Sequence, residues 1–303
     1  MSLLCAMITL LATLPFTTPK YEVTVERDVV YAQAEGYRKE AREDVKNALP
    51  VSLSQGKMQT LDLDMDIYLP KDDKSGKRPL LLMMHGGSFL FGNKEEKGQV
   101  GWCEYFASLG YVAVSINYRL GFSLGKKSYN EAEMRAVEDA DAALKYLLGR
   151  NDLRIDPDYI FAAGTSAGAI IALRLAFRPA GGHPRIRAVG NFWGSVQDLS
   201  VLENAKTPIL SFQSTTDPVM PYNGGYPFKK AGWGPSQLFA PYLYGTKAIH
   251  DRAVKLGIRA EHHPCIQHGH RMHMDKDGNY TFVFYEIRDR MAAFFAEEMV
   301  QSH

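Results

Sequence analysis

Ser166 stands in Gly164-Thr165-Ser166-Ala167-Gly168, directly after an apolar run and directly before a stretch with helical patterning. A serine on a tight strand-to-helix turn is forced outward, and flanking glycines leave space for the chain to fold back on its neighbours. The helix that follows aims backbone N–H groups at the place where an oxyanion forms. This context distinguishes a nucleophilic hydroxyl from a chance Gly-x-Ser-x-Gly. His85-Gly86-Gly87-Ser88-Phe89 ends another apolar run. Adjacent glycines there let backbone N–H groups face a ligand without side-chain obstruction. Gly86, Gly87 and Ala167, the residue after the serine, are the expected oxyanion donors.

A nucleophilic serine needs a base, and the base needs an acid to orient it. Asp217 follows the apolar run 209–213 and opens Asp217-Pro218-Val219-Met220-Pro221. Capping the turn before Pro218 is its competing role. Asp198, Glu203 and Asp251 are rival acids, but none follows an apolar strand so directly. Five histidines crowd one region: His262, His263, His268, His270 and His273. Residues 259–266 read as a strand, so His262 and His263 are expected in the sheet. His268 and His270 lie just past its end, where a general base belongs, and residue types alone leave both open. His268, His270, His273 and Asp275 also have metal-ligand chemistry at short spacing. No helical His-x-x-x-His pair and no Cys-x-x-Cys pair supports it, so the cluster reads as one base plus polar surface, with no metal and no cofactor expected.

The surrounding elements alternate. Residues 79–84, 111–116 and 159–163 are continuous apolar runs, the mark of strands buried on both faces. Residues 188–192 and 209–213 are shorter strands. Between them, residues 100–109, 131–148 and 169–177 carry helical patterning, closed by Gly110 and Gly149 in the first two. Residues 244–256 and 282–299 read as the last helices. Residues 61–69 alternate Leu-Asp-Leu-Asp-Met-Asp-Ile-Tyr-Leu and predict a half-exposed strand; residues 31–48, charged and Ala-rich, predict a peripheral helix. Strands alternating with helices imply an α/β fold with a mostly parallel central sheet covered on both faces.

His85-Gly86-Gly87, Asn117-Tyr118-Arg119-Leu120 and Gly164-Thr165-Ser166-Ala167-Gly168 together resemble the α/β-hydrolase superfamily. More narrowly, they are similar to carboxylesterase, lipase and hormone-sensitive-lipase-like esterases with a His-Gly-Gly oxyanion loop. The similarity covers residues 60–300. It departs from the commonest version, which has Asp before the nucleophile and Gly-Gly after it, where Thr165 and Gly168-Ala169 stand here. The resemblance implies the α/β-hydrolase fold with a small cap or none, and hydrolysis of a carboxylic ester through Ser166, Asp217 and His270. Gly269-His270 matches the Gly-His pair such enzymes carry, which favours His270 over His268. Residues 222–245 form a long Gly-, Pro- and aromatic-rich insertion with Tyr222, Tyr226, Phe228, Trp233, Phe239, Tyr242 and Tyr244. It can wall a substrate pocket or pack as local core, and Trp193 is a further lining candidate.

The chain has 303 residues and a net charge of +1, with 46% hydrophobic and 23% charged residues. That excludes collagen-like, disordered and coiled-coil chains. It also removes the electrostatic case for nucleic acid, which needs a clustered cationic excess. The expected partner is a small or medium ester, or a polysaccharide-linked one. A serine peptidase on the same scaffold and a non-catalytic binding module are the alternatives. Residues 3–14 are an uncharged apolar run, too short for a membrane span of about 20 residues. The run suits a secretory signal, although no Lys or Arg precedes it; a short buried strand or helix is the other reading. The expectation is a leader over residues 1–19, cleavage within 12–20, an exported protein, and one catalytic domain over 20–303. Cys5 would leave with the leader. Export permits a disulfide between Cys103 and Cys265, but nothing in the sequence brings them together.

Overall fold

The computed structural model describes residues 14–39, 57–122, 125–179, 181–203, 205–229, 236–266 and 268–301. Most of the apolar run 3–14, with Cys5, lies outside them, as do residues 40–48 and Trp233. The strands are β1 (Val23–Gly36), β2 (Gln59–Pro70), β3 (Arg78–Met84), β4 (Val112–Ile116), β5 (Ile155–Thr165), β6 (Ala188–Phe192), β7 (Ile209–Ser214), the short β8 (Gly224–Gly225) and β9 (Leu243–Tyr244), and β10 (Ala260–Cys265). The helices are α1 (Lys97–Leu109), α2 (Lys126–Gly149), α3 (Ala167–Ala176), α4 (Thr246–Lys255) and α5 (Phe282–Val300).

Eight strands form one sheet in the order β1-β2-β4-β3-β5-β6-β7-β10. β1 and β2 pair antiparallel, as do β2 and β4. From β4 onward every neighbour is parallel. Alternate residues of each strand serve opposite cores, as the two-residue period requires. Leu80, Leu82 and Met84 of β3 pack with Ala136 and Leu144 of α2 and Ile171 of α3. Leu81 and Met83 pack with Trp102 and Phe106 of α1 and Phe295 of α5. The sheet is therefore covered on both faces, and its parallel strands deliver their C-terminal ends to one edge. Among the described residues no helix is long and apolar enough to cross a membrane.

Two sequence expectations are corrected. Residues 31–36 are not helical; they finish β1, a 14-residue strand. Tyr31 faces inward and its hydroxyl donates to the Asn117 carbonyl at 2.6 Å. The alanines around it sit in a half-buried alternating strand, so their helix propensity is overridden by pairing. β2 is also more buried than its alternation implied, because polar partners meet its inward carboxylates. Asp66 is wholly buried and pairs with Lys94 Nζ at 2.8 Å and Arg27 at 2.9 Å. Asp64 accepts from Asn117 Nδ2 at 2.8 Å and from Lys39 at 2.9 Å. Cys103 and Cys265 are free thiols.

Candidate active site

β5 ends at Thr165 and α3 begins at Ala167, leaving Ser166 alone in the turn. Its φ of 52° and ψ of −116° lie where ordinary side chains are strained. The Ser166 N–H donates to the Phe192 carbonyl at 2.9 Å and holds the turn. The glycines on either side are there for space. A Cβ on Gly164 would stand 2.4 Å from the Gly168 carbonyl carbon, and one on Gly168 would stand 2.1 Å from the Met84 carbonyl oxygen. Met84 is backbone of a central strand and cannot swing aside. Gly168→Ala is therefore expected to cost about 3 kcal/mol of stability, and an unchanged urea midpoint for that variant would contradict the packing described.

Three loops at the C-terminal edge of the sheet meet at Ser166. Its Oγ lies 2.9 Å from His270 Nε2. His270 Nδ1 lies 2.9 Å and 2.8 Å from the two oxygens of Asp217. A nitrogen facing a carboxylate carries the proton, so Nδ1 donates to Asp217 and Nε2 accepts from the serine hydroxyl. Asp217 sits in the loop after β7, where its Oδ1 also accepts the N–H groups of Val219 at 2.8 Å and Met220 at 3.0 Å. His270 sits in the loop after β10. That loop is tied down through the His268 carbonyl, which accepts from the hydroxyls of Ser214 and of Thr216.

The other candidates are employed elsewhere. The His268 ring is exposed. His262 and His263 are in β10, and His263 stacks on Phe212 with 4.4 Å between centroids. Asp275 accepts the N–H groups of Asp277 and Asn279 in a turn. Asp198 accepts the Ser200 N–H, Glu203 pairs with Arg252, and Asp251 pairs with Lys247. No group of three or more ligating side chains among the described residues is placed to hold a metal. His273 is not polar surface. It is buried between Trp102 and Trp193, with centroids 5.5 Å and 5.0 Å away. Burial, with Arg271 and His270 nearby, pushes its pKa down to about 3.

Beside Ser166 the chain turns sharply at Gly87, whose carbonyl accepts the N–H groups of Leu90 and Phe91 at 2.9 Å and 2.8 Å. Gly87 has φ of +108°, and a Cβ there would lie 2.2 Å from the Phe91 carbonyl oxygen. Both requirements select glycine. The loop is braced from behind by the Asn117-Tyr118-Arg119 stretch, whose structural part the sequence alone left unexplained. The Tyr118 hydroxyl donates to the His85 carbonyl at 2.8 Å, and its ring stacks on the His85 imidazole at 4.2 Å. His85 Nδ1 donates to the Gly86 carbonyl at 2.7 Å. Full burial lowers the His85 pKa to about 4, so the ring is neutral. Arg119 is anchored on Asp139 through its N–H at 2.7 Å and its Nε at 2.8 Å. Ala167 is the first residue of α3, where a backbone N–H has no acceptor within the helix.

These residues surround a cavity of about 360 Å³ lined by Gly86, Gly87, Ser166, Trp193, Val219, Phe228 and His270, among others. Phe228 comes from the aromatic insertion, which thus walls the cavity. The same insertion also packs on itself, with Tyr226 and Tyr244 each edge-on to Tyr242 at 5.5 Å and 5.3 Å. Glu96 lies at the rim; its burial raises its pKa, and Arg271 opposes the rise.

An open parallel sheet with a strained serine at the turn after its central strand, an acid and a histidine on later strand-end loops, and glycines opposite is the α/β-hydrolase arrangement. The chain has that fold, and part of its sequence is similar to carboxylesterases. Residues 65–180 match the family model described as BD-FAE. Gut esterase 1 of Caenorhabditis elegans is 31% identical over 121 residues, which is 39% of this chain and 21% of that protein. The non-reducing polyketide synthase mapC' of Penicillium brevicompactum is 32% identical over 146 residues, 46% of this chain and 6% of that one. The chain thus spans only a small part of the curated relatives it matches. Among solved structures, Thermogutta terrifontis esterase 2 phosphorylated by paraoxon superposes with a TM-score of 0.59 at 20% identity, covering 82% of this chain and 92% of that one. The native form of that esterase gives 0.58 at 21% identity, covering 96% and 97%.

Proposed function

We propose that this chain is a serine carboxylic-ester hydrolase working through an acyl-enzyme. The observation that carries the reading is the hydrogen-bonded line from Ser166 Oγ through His270 to Asp217. In this mechanism Ser166 Oγ attacks the ester carbonyl while His270 Nε2 takes its proton. Asp217 fixes the imidazole tautomer and stabilises the imidazolium. The N–H groups of Gly86, Gly87 and Ala167 receive the developing oxyanion, each worth about 3 kcal/mol of transition-state stabilisation. His270 then gives its proton to the leaving alkoxide. Water, deprotonated by the same imidazole, releases the acid. The three kinds of part, nucleophile with base, orienting acid and anion cradle, are what an acyl transfer needs.

The cavity of about 360 Å³ is small for a ligand site and has apolar walls at Trp193, Val219 and Phe228. Both features favour a short or medium acyl group, free or linked to a polysaccharide. The sequence likeness to Gut esterase 1 supports an ester in place of an amide, and the neighbour phosphorylated by paraoxon supports an organophosphate probe. The test is a series of p-nitrophenyl esters from acetate to octanoate beside an aminoacyl p-nitroanilide. The expected result is turnover of the short esters, a fall with chain length, and no anilide cleavage. Paraoxon should stop turnover and add its phosphoryl group to the Ser166 peptide in a mass spectrum. Anilide cleavage at a comparable rate would favour a peptidase. Inertness toward every ester and toward paraoxon would leave a binding module.

A further inference from the structure

Behind Asp217, three polar side chains, Gln213, Thr246 and His262, form a line that ends on its carboxylate. Gln213 ends with its amide between two sets of partners. Its Oε1 lies 2.8 Å from Thr246 Oγ1 and 3.3 Å from the Thr246 backbone nitrogen. Its Nε2 lies 3.3 Å from Asp217 Oδ2, 3.2 Å from the Met220 carbonyl and 3.4 Å from the Pro221 carbonyl. One end therefore meets a backbone donor and a hydroxyl, and the other end meets acceptors alone. That pattern fixes the amide orientation without ambiguity. Thr246 Oγ1 in turn lies 3.1 Å from His262 Nε2. The threonine's one proton is committed to Gln213, so its oxygen accepts, and His262 must hold its proton on Nε2. Burial keeps that imidazole neutral, with a pKa lowered to about 4.

Resting on the reading of Asp217 as the orienting acid, we propose that Gln213 and Thr246, with His262 behind them, are positioning residues for it. His262 Nε2–H donates to Thr246, Thr246 Oγ–H donates to Gln213, and Gln213 Nε2–H donates to Asp217. Every donor points the same way, and the row ends on the carboxylate oxygen that also meets His270 Nδ1 at 2.8 Å. Neighbouring hydrogen bonds polarise one another, so the row strengthens the last bond. It also spans three elements: β7 carries Gln213, α4 begins with Thr246, and β10 carries His262. The Thr246 N–H is one of the orphan donors of the α4 N-terminus, and Gln213 Oε1 caps it. Gln213 and Thr246 are both buried, and neither lines the cavity at Ser166. Their contribution to the reaction runs through the carboxylate.

The decisive comparison is Thr246→Val against Thr246→Ser, with p-nitrophenyl acetate as substrate. Valine keeps the volume and removes the hydroxyl; serine keeps the hydroxyl. The expected result is a fall in kcat of about tenfold for Thr246→Val with KM within twofold, and recovery of most of the rate in Thr246→Ser. Gln213→Met should show the same split, and the double variant Thr246→Val/Gln213→Met should be no slower than the slower single one, because the links act in series. Thermal unfolding is followed for each; if Thr246→Val does not fold, Thr246→Ala takes its place. Equal kcat in the folded valine and serine variants would overturn the proposal, as would additive losses in the double variant. Wild-type turnover that is itself absent would instead defeat the hydrolase reading, which separates the two failures.

Discussion

Ser166→Ala should lower kcat/KM for p-nitrophenyl acetate by about 10⁶-fold and abolish labelling by paraoxon, while the thermal unfolding transition stays in place. The magnitude follows from what the hydroxyl does. Without it there is no atom for His270 to deprotonate and no acyl-enzyme, so all three members of the line fall silent together. What survives is the stabilisation that Gly86, Gly87 and Ala167 give to a water-driven reaction, worth about 10³-fold over water. The fold is spared for an equally specific reason. Ser166 Oγ has His270 as its hydrogen-bonding partner, and alanine tolerates the strained φ of 52° no worse than serine does. The turn is held by the Ser166 backbone N–H on the Phe192 carbonyl, which alanine keeps. A variant retaining more than a tenth of wild-type turnover would remove Ser166 from the chemistry.

The serine and the acid were legible because each stands at the end of an apolar run, and in a parallel sheet such ends converge on one edge. The histidine was only half legible. His268 and His270 have the same chemistry two residues apart, and the backbone decides between them. Ser214 and Thr216 fasten the His268 carbonyl, which leaves the His268 ring exposed and brings the His270 ring to Ser166. Residues 31–36 look helical because Ala and Glu favour helices locally, whereas their pairing with β2 is a contact across a long stretch of chain. Gln213 and Thr246 carried no signal at all. They are 33 residues apart, neutral, and of types that occur in every strand and helix. His273 has ligand chemistry in the sequence, but its surroundings come from Trp102 and Trp193, which no spacing rule connects to it.

Those same buried histidines make stability strongly pH-dependent. His85 and His273 ionise at about 4 and about 3 in the folded chain, chiefly because burial strips water from the charged ring. His85 Nε2 and His273 Nδ1 also lack any partner among the described residues that could share a proton. In the unfolded chain both rings ionise near 6.5. Between about pH 6.5 and pH 4 the unfolded state therefore binds more protons than the folded one, and stability falls as the pH falls. Each shift of one unit is worth 1.36 kcal/mol, so going from pH 7 to pH 5 should remove about 2 kcal/mol per histidine, about 4 kcal/mol for the two. His262, also shifted down by burial, acts in the same direction. Glu96, Glu133 and Asp139, whose pKa values burial raises, act in the opposite direction and make the fall shallower. Urea unfolding at a series of pH values measures the slope, and His273→Gln should remove about 2 kcal/mol of the fall between pH 7 and pH 5. A stability that is flat from pH 7 to pH 5 would mean that these rings are reached by water and that the loops at Ser166 are looser than their packing implies.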